Sequence, residues 1–130
     1  MLRRRRVPTE LAAAYDAFLA VLEELEPAKA ALTEVLPGTR SPGRPLPDAL
    51  AVFEGGLTRA DARMPGWRTD ALASQWDACS EGIRASLAGA ASAERADPAG
   101  FESLLWLVEA LLDPLDPFVD AERAFLDRRR

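Results

Sequence analysis

Apolar residues recur along this chain at alternating steps of four and three, and that spacing commits it to helices. Leu11, Tyr15, Phe18, Leu22, Leu25, Leu32 and Leu36 follow the rule, with Lys29 as the one polar interruption. Thr9 is suited to cap such a helix and "LPG" at 36–38 to stop it, which predicts a first helix over residues 10–36. Pro27 removes one backbone hydrogen bond inside it, so a kink or a break is expected near Glu23 to Lys29.

The same spacing returns three times. Leu46, Leu50, Phe53, Leu57, Ala60 and Met64 define a second helix that ends at "MPG". Gly55 and Gly56 cost it roughly 1 kcal/mol each relative to Ala, which points to a close helix approach there. Thr69 or Asp70 can cap a third helix with the seam Leu72, Trp76, Cys79, Ile83 and Leu87. Asp97 and Pro98 suit the start of a fourth, whose seam reads Phe101, Leu105, Val108, Leu112, Leu115 and Val119. A second apolar row, Leu104, Leu111, Phe118 and Phe125, widens that helix's face. The connections "PGTRSPGRPLP" and "SAERADPAG" are too rich in proline, glycine and small polar residues to continue a helix.

No segment alternates with the period of two that a strand requires, and 130 residues suffice for one core. The expected fold is therefore all-α: an antiparallel up-down-up-down four-helix bundle with long, proline-kinked first and fourth helices. One bundle domain is expected over residues 8–127, between basic tails at 1–7 and 128–130. Both chain ends would lie at one pole, joining Arg3 to Arg6 with Arg128 to Arg130. Solvated tails are the favoured reading of these clusters, over a basic pole that grips an acidic partner or a membrane surface.

Inventory restricts the chemistry. The chain has no histidine, no asparagine and a single cysteine, Cys79. That excludes a Ser-His-Asp triad, a Cys-His pair, an intramolecular disulfide and any zinc or di-iron site built on histidine. Cys79 falls on a helix seam, where an inert packing role is expected. The formal net charge is −5, but seven of the sixteen basic residues are in the tails, leaving nine against twenty-one acids. An acidic body with no aromatics among its terminal arginines is not expected to bind nucleic acid. Neither a membrane span nor a secretory leader is legible in the sequence, so a cytoplasmic location is expected. The arginine-heavy basic set is typical of a GC-rich, bacterial genome.

Two functional readings come from the fourth helix. Trp106 and Leu107 lie beside a face already wide enough to pack, and excess apolar surface on a small protein usually meets a partner or a second copy. Trp106, Leu107, Leu111 and Phe118 are thus the expected contact residues of a non-enzymatic protein-interaction module, self-associating or bound to another protein. Cover by residues 37–47 or by Trp67 is the competing explanation. The second reading starts from "LLDPLDPFVDAE", where Glu109, Asp113, Asp116 and Asp120 run along one flank at steps of three and four. With "EELE" of the first helix, Glu23, Glu26, Asp113 and Asp116 would supply hard oxygen ligands to Mg2+ or Mn2+ for hydrolysis of a nucleotide or phosphate ester. The favoured reading of those acids is a solvated helix flank, with no cofactor and with Pro114 and Pro117 bending or dividing the helix. Arg40 and Arg44 could bind an anion, although a solvated loop is the expected role.

Overall fold

The structure, a computed structural model, describes residues 7–40 and 42–127. Four helical legs run α1 (Ala12–Thr33), α2 (Leu46–Arg63), α3 (Ala73–Ala93) and a fourth leg made of α4 (Gly100–Leu112) and α5 (Pro117–Asp127). Among the described residues there is no strand. Short 3-10 turns lead into α1 at Thr9–Leu11 and into α3 at Asp70–Leu72, and no side-chain hydrogen bond caps α1, α2, α3 or α4. Thr9 and Asp97 accordingly do not act as the expected caps, and α4 starts two residues beyond Pro98.

Neighbours in sequence are neighbours in space: α1 lies along α2, α2 meets α3, and α3 carries both α4 and α5. One pole is closed by aromatic rings. Phe18 stands edge-on to Trp67 at 5.0 Å and 81°, and Phe125 lies 5.1 Å from Phe18 and 5.8 Å from Trp67. Since Phe18 is near the start of α1, Trp67 follows α2 and Phe125 is near the end of α5, these contacts establish the up-down-up-down course. Both ends of the described chain are at this pole. The arginine clusters at 3–6 and 128–130 lie outside the described residues.

Two prolines have opposite effects. α1 continues unbroken through Pro27, which is exposed, as is Glu23, whose carbonyl loses its partner; water can satisfy that group at little cost. The fourth leg does break, at the 3-10 turn Asp113–Leu115, with Pro117 opening α5. Instead of α-helical bonds, the Asp116 N–H donates to the Asp113 carbonyl and the Val119 N–H to that of Asp116, at 3.1 and 3.0 Å.

The break fits into α3. A Cβ at Gly82 would fall on the Pro114 carbonyl oxygen, so only glycine lets the turn seat there. One turn further along, Ser86, fully buried, donates its hydroxyl to the Leu111 carbonyl at 2.8 Å. That carbonyl is among the last four of α4, which have no partner within the helix. Gly89 continues the stripe, its missing Cβ making room for the Leu111 side chain.

Candidate functional site

Rotation of the fourth leg decides what it presents to solvent. The row Leu104, Leu111, Phe118 and Phe125, with Val108 and Leu115, faces the core, while Phe101 and Val119 of the expected seam are 52% and 57% exposed. Leu105 and Leu112 are left half-buried on the flank. The reason is aromatic payload: Phe118 and Phe125 complete the ring cluster around Phe18, and no rotation buries both rows equally.

This corrects part of the expected contact set. Leu111 and Phe118 are 2% and 5% exposed and belong to the core, so they offer no free surface. Leu107 is half-buried against the same core. Trp106 points the other way and is 73% exposed, beside a shallow depression it forms with Glu102 and Ser103. Glu109 and Asp113 follow it at helical steps of three and four and are exposed too. No ion pair among the described residues uses Glu102, Glu109 or Asp113. Trp67, which could have covered Trp106, is fully buried at the aromatic pole.

The carboxylate cluster proposed for a divalent ion does not assemble. Glu23, Glu26, Asp113 and Asp116 are all exposed, and among the described residues no group of three or more His, Cys, Asp or Glu side chains gathers as metal ligands. α1 meets α4 only slightly, because it lies mainly along α2 while Phe18 is engaged by the aromatic pole. Glu26 reaches Lys29 at 3.8 Å, and it is the intervening Glu24 that bridges helices, to Arg59 at 3.0 Å and Arg63 at 3.9 Å.

The remaining candidates have structural roles. Arg44 pairs with Glu34 at 3.1 Å while its backbone N–H donates to the Glu34 carbonyl, which ties the long connection to the end of α1. Arg40 is exposed. Cys79 is fully buried, and burial, with a smaller push from the Asp120 charge, drives its thiol up to about 12. It is no nucleophile at neutral pH. Burial likewise raises Tyr15, helped by the charge of Glu122 and a hydrogen bond to it.

Sequence reasoning passed over the stripe Gly82, Ser86 and Gly89 on α3. Small residues at helical steps inside "EGIRASLAG" were the available signal, since a helix that carries them can be approached closely by another backbone. Among the described residues, no helix is long and apolar enough to cross a membrane. No protein-family model matches the chain, and neither a curated protein nor a solved structure does.

Proposed function

We propose that this chain is a non-enzymatic, cytoplasmic interaction module that binds a protein partner through the outer face of α4. The observation that carries the reading is Trp106, 73% exposed at the middle of a helix whose opposite side is already packed. An indole left open to that extent offers on the order of 150 Å2 of apolar surface. At ~25 cal/mol/Å2 its burial is worth ~4 kcal/mol before the cost of association. Tryptophan is also among the side chains enriched where interfaces are anchored.

The rim gives the partner its sign. Glu102, Glu109 and Asp113 are exposed on the same leg as Trp106, and no ion pair among the described residues uses them, so a basic surface or helix complements the face. A guanidinium could rest on the ring while its neighbours meet the carboxylates. Self-association is the second reading, favoured by the flank stripe of Phe101, Leu105, Leu112 and Val119. A two-fold dimer through Trp106 itself would set the acidic rims against each other, which counts against that particular face.

Calorimetric titration with a basic amphipathic Leu/Arg helical peptide, and with its Leu/Glu twin, tests the assignment. The basic peptide is expected to saturate, the acidic one to give no binding, and Trp106→Glu to abolish the signal while its thermal melt stays unchanged. A folded Trp106→Glu variant that binds as the parent does would overturn the reading. Sedimentation of the parent and of a Phe101→Ser/Val119→Ser variant decides whether the flank stripe joins two copies.

A further inference from the structure

The pole opposite the aromatic rings holds a cavity of about 470 Å3 between the start of α2 and the end of α3. Its apolar wall comes from Leu46, Leu50, Ala93 and Pro98, and its rim carries Glu94 and Asp97. Leu50 and Ala93 are core residues, 2% and 3% exposed, so the wall is a fixed part of the bundle. We propose that this cavity binds an organic cation, a primary ammonium carried on an apolar stem.

Size, lining and sign each contribute. The volume lies within the range of small-molecule sites, which combine an apolar wall with a few convergent polar groups. No ion pair among the described residues involves Glu94 or Asp97. Instead the Glu54 carboxyl, one helical turn beyond Leu50, hydrogen-bonds Glu94, and that bond, followed by burial and the Glu94 charge, holds its proton above the usual carboxylate range.

Helix polarity agrees. Glu94 follows the last residue of α3, the end at which a helix dipole is negative and attracts a cation. The start of α2 at the same site would favour an anion, but Pro45 and Pro47 have no N–H to offer and Asp48 already occupies its first turn. A bare metal ion does not fit, because Glu54, Glu94 and Asp97 do not gather into a set of metal ligands and much of the wall is hydrocarbon. An ammonium on an aliphatic stem uses both halves of the cavity.

The probe is hexylammonium at neutral pH, followed by backbone amide shifts in a 15N-labelled full chain, with hexanol and hexanoate as controls. Saturable shifts confined to residues 46, 48–50, 54 and 93–97 are expected with hexylammonium, at least tenfold weaker with hexanol and absent with hexanoate. Glu94→Gln/Asp97→Asn should abolish the response. So should Ala96→Trp, which fills the mouth from an exposed position and leaves the charges in place. No saturable shift, equal binding of hexanol, or undiminished binding to a folded Glu94→Gln/Asp97→Asn variant would overturn the proposal.

Discussion

Gly55 and Gly56 stand side by side for different reasons. A Cβ on Gly56 would meet the Ala28 Cβ at 2.6 Å and the Glu24 carbonyl at 2.9 Å, so the α1–α2 contact depends on its absence. A Cβ on Gly55 meets only the Arg59 guanidinium, at 3.3 Å, which is the movable end of a long side chain. Urea unfolding is therefore expected to show Gly55→Ala more stable by up to ~1 kcal/mol, from helix propensity alone. Gly56→Ala should be less stable by ~1–3 kcal/mol, from overpacking against a backbone that cannot retreat. Equal effects at the two positions would contradict the packing described. The sequence located the close approach at this pair, but which of the two glycines makes it depends on where α1 lies.

At the level of the helix, prolines acquire their meaning from what stands opposite. Pro27 has solvent there and the helix persists; Pro114 has Gly82 of α3 there and the helix ends. The 3-10 turn and the α3 stripe form one joint, in which Ser86 supplies the donor that the Leu111 carbonyl lost. Ser86→Ala should leave that buried carbonyl unpaired and lower stability by ~1–3 kcal/mol, measured by urea unfolding. Ser86→Thr, which keeps a hydroxyl but adds a methyl in a fully buried position, is not expected to restore it. The Pro-x-x-Pro punctuation was legible as a bend or a division, and division is the outcome. The rotation of the fourth leg was not legible, because two apolar rows at the same spacing are equivalent until a neighbour chooses between them.

For the molecule as a whole, two protons held by burial set an alkaline limit. Cys79, ordinarily near 9.0, is raised to about 12, and Tyr15 is raised from 10.0. The unfolded chain loses these protons first, so their contribution to stability is complete below pH 9 and declines as pH rises toward the native values. Unfolding free energy should fall above pH 9 by at most ~1.4 kcal/mol per pH unit for each group. Cys79→Ala should flatten the decline, and a variant as steep as the parent would show that the thiol does not contribute. The sequence by itself determined the helical class, the four legs, the burial of Cys79 and the exclusion of histidine-based chemistry, because periodicity and inventory are local properties of a chain. Only the tertiary structure decided that Trp106 is left outside, that Leu111 and Phe118 are not, and that Glu23, Glu26, Asp113 and Asp116 do not gather into a metal site. Those outcomes depend on the rotation and pairing of helices, which are set by contacts between residues far apart in sequence: rings that fit at one pole, and a glycine that admits a carbonyl in the middle.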